Sequence, residues 1–351
     1  MTTTKTQNER AEQADRAGRT MRAVTQTGFG GPEVLRLTET VRPEPGPAEV
    51  LVRIHAAAVN PTDVWHRATG GLAGAGVPPV PLGWDLSGTV EAVGIGVTLF
   101  RTGDEVFGMP RHPAPAGTYA EYATSPARHL AHKPAGLDHV QAAALPLAAL
   151  TAWQALVDTA DVRPGQRVLV HAAAGGVGHL AVQIAKARGA YVIGTANAAK
   201  HAFVRSLGAD EVVDYRTTDF AEAVSGVDVV VDTIGGAYGP RSLRTLRPGG
   251  IVVSLASPAE AALAQEAAVL GVRAVFMAVE ADHAGMLAIA QLVERGQLRP
   301  HIAEVLPLAE AGKAHELSQS GRTSGKIVLT TGAARATEAA RATGADAIQG
   351  V

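Results

Sequence analysis

The sequence predicts an α/β protein with two parts: a compact all-β unit, followed by a doubly wound parallel sheet. Short strands separated by glycines and turns, without helices between them, occupy the N-terminal third of the chain. From about residue 142 helices and strands alternate, which is typical of a parallel sheet. A chain of 351 residues is long enough to form two domains with substantial cores.

The all-β unit is predicted from four short segments that have the composition of strands. A Pro/Gly-rich segment, 42–48, separates the first two, and turns separate the others. The four segments are 21–24, 50–54, 88–94 and 103–108. Closely spaced strands of this kind favour a barrel-like arrangement.

Six segments of the second part are almost continuously apolar, as expected for strands covered on both faces of a doubly wound sheet. They are 168–171, 191–195, 211–214, 227–232, 251–255 and 273–277. A helix at 283–295 and a strand at 325–329 are predicted to return to the first domain. We therefore expect one domain from 21–145 with 285–330, and a second from 146–284.

Both ends of the chain are predicted to lie outside these domains. Residues 1–20 are polar and lack the apolar core of a signal peptide, so they are expected to form a disordered leader. Residues 331–351 are rich in Ala, Thr and Gly and are expected to be a flexible tail. Because no run of 18 apolar residues occurs, the sequence predicts no membrane span and a cytoplasmic protein.

Composition excludes several functions. The 31 basic and 33 acidic residues leave a net charge of −2 and are scattered, so nucleic-acid binding is not predicted. Because the chain has no cysteine, disulfides, thiolate nucleophiles and cysteine-ligated zinc are excluded. His112, His129, His132 and His139 lie in loop-like sequence without ligand spacing, so we expect them to be solvated or turn-forming and predict no metal.

A glycine-rich turn follows the first parallel strand and leads directly into a helix. It matches a dinucleotide-binding fingerprint in which Ala173 replaces the first glycine and Gly175 and Gly178 keep the other two. Small residues let a phosphate approach the backbone, and the N–H groups of the new helix face it. With Gly176 and Val177, these are the predicted phosphate-binding residues. A tight turn without a ligand is the alternative, which the flanking strand and helix disfavour.

The tip of the next strand predicts which dinucleotide is bound. A cofactor without a 2′-phosphate usually meets an Asp or Glu there, and this chain has no carboxylate in that segment. Thr195 and Asn197 are able to hydrogen-bond a 2′-phosphate, and Lys200 to offset its charge. The sequence therefore predicts NADPH, with a solvated Lys200 as the alternative interpretation.

The segment 165–178, continuing to Gln183 and Lys186, resembles the signature of the zinc-independent quinone oxidoreductases. These belong to the medium-chain dehydrogenase/reductase superfamily, with the ζ-crystallins and the enoyl reductases of polyketide assembly. Five other segments also match, and they occur along the chain in the same order as in the family: 60–63, 83–88, 103–107, 151–153 and 207–210. The resemblance implies a GroES-like β-barrel domain, a Rossmann domain, and an active site between them.

Zinc members of the superfamily differ from this chain at their metal ligands. They carry a cysteine near the position of Thr62 and a Gly-His-Glu motif where this chain has Gly83, Trp84 and Asp85. The resemblance therefore implies hydride transfer without zinc, to an acceptor such as a quinone or an enone that is already activated.

The resemblance also implies a catalytic set of Asn60, Trp65 and Thr151. Asn60 is expected near the nicotinamide or the substrate oxygen, and capping of the turn at Pro61 is its alternative role. Relatives usually have tyrosine at the place of Trp65, so a tyrosine proton donor is missing and water is the expected proton source. Trp65 is expected either to stack on a flat acceptor or to lie in the core. Thr151 matches a residue near the nicotinamide and is otherwise an N-cap.

Four further cofactor contacts are implied by family positions. Tyr215 and Arg322 match residues that stack on or bind the adenosine 2′-phosphate, with a strand-end tyrosine and a surface arginine as the alternatives. Ser254 and Phe276, at the ends of later strands, are expected to line the cofactor through backbone contacts.

These expectations define an NADPH-dependent reductase of a small apolar quinone or enone. Two alternatives stay open: a trans-acting enoyl-thioester reductase of polyketide biosynthesis, and a non-catalytic NADPH-binding protein such as a redox sensor. RNA binding, known in some relatives, is not expected here, because the sequence has no stripe of basic residues. The family implies a homodimer through Rossmann edge strands near 273–279, and a loop over the cleft at 68–81.

Overall fold

The computed structural model describes residues 20–71, 81–256 and 261–332. Residues 1–19 of the predicted leader, almost all of the predicted tail and most of the predicted loop at 68–81 lie outside the described residues, while Thr20 begins the first strand. No helix within the described ranges is long and apolar enough to cross a lipid bilayer.

Strands and helices alternate in the second part of the chain as the sequence pattern predicts. In the first part, the expectation of strands without helices between them is wrong, because the helix Pro61–Thr69 lies between two strands. The strands are β1 (Thr20–Gln26), β2 (Leu35–Val41), β3 (Glu49–Val59), β4 (Leu86–Val93), β5 (Glu105–Gly108), β6 (Tyr122–Pro126), β7 (Leu130–His132), β8 (Arg167–Val170), β9 (Tyr191–Ala196), β10 (Glu211–Asp214), β11 (Val227–Asp232), β12 (Leu246–Ser254), β13 (Arg273–Phe276), β14 (Ile302–Pro307) and β15 (Lys326–Thr330). The helices are α1 (Pro61–Thr69), α2 (His139–Ala143), α3 (Pro146–Trp153), α4 (Gly178–Ala187), α5 (His201–Ser206), α6 (Phe220–Ala223), α7 (Tyr238–Leu243), α8 (Ala261–Val269), α9 (His283–Glu294) and α10 (Ala311–Gln319).

The first sheet combines strands from both ends of the chain. Its order is β14-β15-β3-β4-β5-β7, with β6 also paired to β3, while β1 and β2 form a separate antiparallel pair. β15 pairs antiparallel with β3, which confirms that the last predicted strand returns to the N-terminal part. Strands β2, β6, β7 and β14 were not predicted from the sequence. The residues of β14 are mostly exposed at the sheet edge and lack an apolar run.

The second sheet has six parallel strands in the order β10-β9-β8-β11-β12-β13. All six predicted strands are present, with ends displaced by a few residues. β8 and β11 are neighbours although β9 and β10 lie between them in sequence, so the strand order reverses at this point. Ligands of doubly wound sheets bind at this crevice, beyond the carboxyl ends of the strands.

The two sheets share part of one hydrophobic core. Trp84 and Phe107 of the N-terminal part belong to the same buried cluster as Val170 and Leu180 of the parallel sheet. Helix α9 adds Met286 to this cluster, so it packs where the two parts meet. The sheet memberships agree with a two-part chain, and the boundaries at 145 and 285 stay predictions.

Backbone and side-chain hydrogen bonds also join the two parts. Gly325 N–H donates to the carbonyl of Ala174 over 2.9 Å, next to β15. The ring of His179 donates from Nδ1 to the Gly175 carbonyl over 2.8 Å and accepts at Nε2 from the His301 N–H over 3.1 Å. Because one nitrogen donates and the other accepts, this contact requires a neutral imidazole.

The neutral state of His179 predicts a pH dependence of folding. Burial lowers the pKa of His179 from 6.5 to about 4. Between these values the unfolded chain takes up a proton that the folded chain excludes, so His179 contributes its full stability above pH 6.5. We expect a loss of about 1.4 kcal/mol per pH unit from this group as the pH falls towards 4.

Urea unfolding at several pH values between 7.5 and 4.5 measures this loss. His179→Gln is expected to reduce the pH dependence of the unfolding free energy by about one proton, and His132→Gln, at an exposed position, is the matched control. Equal pH dependence in His179→Gln and the parent chain would contradict the assignment.

Candidate active site between the two sheets

A cleft of about 730 Å³ lies between the two parts of the chain, at the carboxyl ends of the parallel strands. Its walls bring together eight of the residues predicted from sequence. They are Asn60, Trp65, Thr151, Gly175, Gly176, Val177, Gly178 and Phe276. Residues that are 100 or more positions apart in the sequence therefore share one site.

The glycine-rich loop is shaped to receive a phosphate. A Cβ on Gly178 would lie 2.2 Å from the carbonyl oxygen of Ala172, so only glycine permits this close approach. Val177, the N-cap of α4, makes no side-chain cap hydrogen bond. The N–H groups of His179 and Leu180 donate to the Gly175 and Val177 carbonyls, each over 3.1 Å, so the N–H groups at the loop tip, from Gly176 to Gly178, are those that face an anion. The loop therefore fits the pyrophosphate of a dinucleotide.

Thr195 supports this loop from beneath, which corrects the expectation that it binds a 2′-phosphate. Its side chain is 1% exposed. Its Oγ1 accepts from the Ala172 N–H over 3.2 Å and lies 3.2 Å from His171 Nδ1. Ala172 has a left-handed φ of 46°, so its backbone is strained and these contacts hold it in place. Ala173 is fully buried beside it and does not line the cleft.

A basic corner forms at the tips of β9 and β10. The ammonium of Lys200 donates to the carbonyls of Arg322 and Thr323 over 2.9 and 3.1 Å, which places Lys200 beside the backbone of Arg322. Burial and the charge of Arg216 both lower the pKa of Lys200. Tyr215 is half-exposed, with the Arg216 guanidinium 6.0 Å from its ring centre. Arg216 is a residue that the sequence analysis missed, although it directly follows Tyr215.

Two buried side-chain oxygen atoms, at the ends of β9 and β12, have no hydrogen-bond partner within the part of the chain that the structure describes. They are Asn197 Oδ1, at the end of β9, and Ser254 Oγ, at the end of β12. Phe276 ends the neighbouring strand, β13, and lines the cleft. Asn197 and Ser254 are not among the residues that line the cleft, and both polar atoms are buried.

Asn60 lies at the start of α1, within a cluster of buried polar groups. Its Nδ2 donates to Asp85 Oδ2 over 2.8 Å, and its Oδ1 accepts from the ammonium of Lys326. Its backbone N–H donates to Asp63 Oδ2 over 2.6 Å. Asn60, Asp63, Asp85 and Lys326 are together called the Asn60 cluster below. The carboxamide of Asn60 is thus bound within this cluster.

Charges in the Asn60 cluster compensate one another. Lys326 Nζ lies 3.6 Å from Asp85 Oδ2, and both side chains are almost completely buried. Burial lowers the pKa of Lys326, and the charges of Asp85 and Asp63 oppose this shift. Burial raises the pKa of Asp63 to about 7. Sequence reasoning missed Lys326 as a site residue, although a lysine in an apolar strand was a signal that could have been used.

Trp65 and Thr151 lie on two different helices, α1 and α3, and both line the cleft. Trp65, on α1, is 42% exposed and lines the cleft, so its interpretation as a core residue is wrong. Thr151 lies late in α3, where its hydroxyl donates to the Leu147 carbonyl over 2.6 Å. It therefore neither opens nor N-caps the helix, which begins at Pro146.

Histidines near the cleft are more ordered than the sequence analysis expected. His112 lines the cleft, and its Nδ1 lies 3.0 Å from the Val279 carbonyl, which requires a proton on that nitrogen. His139 stacks on His55 with ring centres 4.2 Å apart. His112 lies in a turn, as expected, although its ring is held by the Val279 carbonyl rather than solvated. The expectation of a solvated or turn-forming role is wrong for His139, which is half-buried at the start of a helix.

Residues of the site do not offer a zinc-binding set. The described ranges contain no group of three or more His, Asp or Glu side chains arranged to hold a metal ion. Trp84 stands where zinc members have a ligand histidine, and its Nε1 donates to the Ala114 carbonyl over 2.8 Å within the core. The chain also lacks any cysteine. The donor atoms present therefore do not fit a tetrahedral zinc.

Comparisons with known proteins agree with this architecture. Residues 46–135 match the alcohol dehydrogenase GroES-like domain, and residues 207–329 match the zinc-binding dehydrogenase family. The quinone oxidoreductase of Pseudomonas aeruginosa is 36% identical over 86% of this chain and 97% of that relative.

Solved structures give the same result. The quinone oxidoreductase structure from Coxiella burnetii has a TM-score of 0.85 at 36% identity, covering 89% of this chain and 100% of that one. The Escherichia coli quinone oxidoreductase complexed with NADPH has a TM-score of 0.79 at 29% identity, over 88% of this chain and 99% of that one.

Fold and cleft together define an oxidoreductase of the medium-chain dehydrogenase/reductase superfamily. Within this class, the chain belongs to the zinc-independent quinone oxidoreductase family.

The close approach at Gly178 leads to a stability prediction. Gly178→Ala is expected to lower the unfolding free energy by about 1–3 kcal/mol, because the added Cβ displaces the Ala172 carbonyl. Thermal or urea unfolding measures the change. Gly136→Ala is the matched control, since a Cβ at Gly136 meets no atom within 4 Å. A loss no larger than that of the control would contradict the predicted contact.

Proposed function

We propose that this protein is an NADPH-dependent reductase that transfers hydride, without zinc, to a quinone or an α,β-unsaturated carbonyl compound. The observation that carries the proposal is that both the glycine-rich loop and Asn60 line one cleft. Trp65, Leu147 and Phe276 make much of the remaining wall apolar or aromatic, which suits a flat acceptor.

The cofactor is proposed to lie along the parallel-sheet side of the cleft. The loop binds the pyrophosphate through the backbone N–H groups of Gly176, Val177 and Gly178, while the Gly175 N–H donates to the Ala172 carbonyl and closes the turn. The 2′-phosphate lies at the basic corner, against Lys200, Tyr215 and Arg322, with Arg216 as an additional cation. A phosphate among several cationic donors is favoured over a ribose hydroxyl, so NADPH is preferred to NADH.

The nicotinamide end of the cofactor is proposed to be bordered by Thr151, Ser254 and Phe276. Asn197, at the end of β9, is proposed to lie beside the adenosine end of the cofactor. Thr195 and Ala173 contribute by supporting the loop, since neither side chain reaches the cleft.

When bound, the reduced nicotinamide supplies a hydride, and the acceptor takes up one further proton to complete its reduction. Asn60 donates a hydrogen bond to the acceptor oxygen, where negative charge develops. A donor at such an oxygen stabilises the transition state by about 3–4 kcal/mol. Trp65 stacks on the acceptor and orients it. Because indole is no proton donor at neutral pH, solvent water supplies the proton.

A homodimer and a cytoplasmic location stay predictions. β13 is an edge of the parallel sheet, and Val275 on this strand and Leu270 just before it are exposed apolar residues. An edge strand with exposed apolar side chains is suited to pairing with a second copy of the sheet.

The test of this proposal is consumption of NADPH by chelator-treated protein. Initial rates are measured with quinones, acyclic enones and enoyl thioesters, and NADH is run in parallel. We expect chelator-resistant turnover of a quinone or an enone, with NADPH preferred. Preference for carrier-bound enoyl thioesters would favour the polyketide alternative, and NADPH binding without any turnover would favour a sensor.

Cofactor preference is tested at Arg322. Arg322→Ala is expected to raise the KM for NADPH about tenfold, because one charge-assisted contact to the 2′-phosphate is lost, and to leave the KM for NADH unchanged. Arg205→Ala, an exposed arginine on α5, is the matched control. An equal change for both cofactors would show that Arg322 does not contact the 2′-phosphate.

A further inference from the structure

We propose that Lys326 is a positioning residue: its buried ammonium, together with Asp85, holds the Asn60 carboxamide with an N–H group towards the cleft. The inference rests on the proposed function, in which Asn60 donates to the acceptor oxygen. It assigns a role to a residue of the last strand, far from Asn60 in sequence.

The atoms that surround Asn60 determine the orientation of its amide. An ammonium group is able only to donate, so the atom of Asn60 bonded to Lys326 is the carbonyl oxygen Oδ1. A carboxylate accepts, so the atom 2.8 Å from Asp85 Oδ2 is the nitrogen Nδ2. A rotation of the amide by 180° would place acceptor against acceptor and donor against donor. The amide is therefore held at both ends.

One N–H group of Asn60 is left for a ligand. Nδ2 carries two hydrogens, and Asp85 accepts one of them. Asn60 is 1% exposed and lines the cleft. The second hydrogen is therefore placed to meet an oxygen atom of a bound acceptor, with no reorientation needed when charge develops there.

Lys326 is itself held firmly. Its ammonium also donates to the Val59 carbonyl over 3.0 Å, and its side chain is 2% exposed. Its Cδ lies 3.4 Å from the position that a Cβ on Gly176 would take, so the aliphatic stem lies against the glycine-rich loop. One side chain thus contacts the loop and orients Asn60.

Stability alone does not account for a charge at this position. A buried ion pair is often replaced by apolar residues of similar volume with little loss of stability. A methionine at 326 would fill the space and could not donate to Asn60 Oδ1. Asp85 would then take up a proton and donate to Oδ1, which favours the reversed amide. The reversed amide presents its carbonyl to the acceptor oxygen.

A double-mutant cycle tests this coupling. Lys326→Met and Asn60→Ala are each expected to lower kcat about 100-fold, by loss of one donor to the reacting oxygen. The double variant is expected to be no slower than either single variant, because Lys326 acts through Asn60. Dissociation constants for NADPH are expected to stay within about twofold. Multiplying effects, near 10⁴-fold in the double variant, would overturn the proposal.

A second variant separates positioning from folding. Lys326→Met combined with Asp85→Asn removes both members of the ion pair, so neither of these two charges is left without the other. Asp63, whose pKa is raised to about 7 by burial, stays in both this variant and Lys326→Met. Thermal stability is expected to recover in this variant while kcat stays low. Recovery of kcat together with stability would show a merely structural role for Lys326.

Chemical rescue supplies a conservative replacement. The chain has no cysteine, so Lys326→Cys introduces a single thiol. Alkylation of the unfolded variant with bromoethylamine, then refolding, restores an ammonium at nearly the original length. Alkylation with bromopropane gives the matched neutral side chain. The aminoethyl form is expected to recover kcat to within about tenfold of the parent, and the propyl form is not. Equal rates in both forms would overturn the proposal.

A readout without turnover distinguishes this inference from the proposed function. The chain contains only three asparagines, Asn8, Asn60 and Asn197, so ¹⁵N-asparagine labelling gives three side-chain amide pairs. The two side-chain amide hydrogens of Asn60 are expected to exchange slowly with solvent in the parent chain. In Lys326→Met their NMR signals are expected to shift, and their exchange with solvent is expected to be faster. An unchanged pair would overturn the positioning role. If the Asn60 amide hydrogens exchange slowly but the protein reduces no acceptor, only the proposed function would be refuted.

Discussion

The buried ion pair between Lys326 and Asp85 is the interaction on which the cleft depends. Charges removed from water must be paired, so β15 and the residue just before β4 have to meet, and the hydrogen bonds of both to Asn60 bring the start of α1 to the same point. Asp85 also accepts the Leu147 N–H over 2.7 Å, which connects the start of α3 to the same carboxylate. Four elements from distant parts of the chain are thereby placed around Asn60.

The glycine-rich loop depends on a different set of buried neutral groups. Thr195 and His179 satisfy the backbone of Ala172 and Gly175, and His171 Nε2 lies 2.9 Å from Ser242 Oγ beneath them. Burial lowers the pKa of His171 to about 3, so its ring is uncharged at neutral pH. The loop presents its N–H groups and the helix dipole to an anion.

Local patterns account for what could be predicted of the site. Gly175 and Gly178 were found because a strand, a tight turn and a helix are adjacent in sequence, and a phosphate-binding backbone needs nothing further. Lys326 and His112 were missed because their partners, Asn60 and Val279, are more than 150 residues away. Thr195 was assigned to the wrong ligand because strand-tip position does not reveal which way a side chain points.

The sequence by itself determined the two-part architecture, the six parallel strands and the phosphate-type loop. Each of these follows from hydrophobic periodicity and from the small size of residues that are neighbours in the chain. Only the tertiary structure decided that Asn60 is held between Lys326 and Asp85, that Trp65 faces the cleft and that His139 stacks on His55. These outcomes depend on burial and on paired charges, which arise when distant segments pack together.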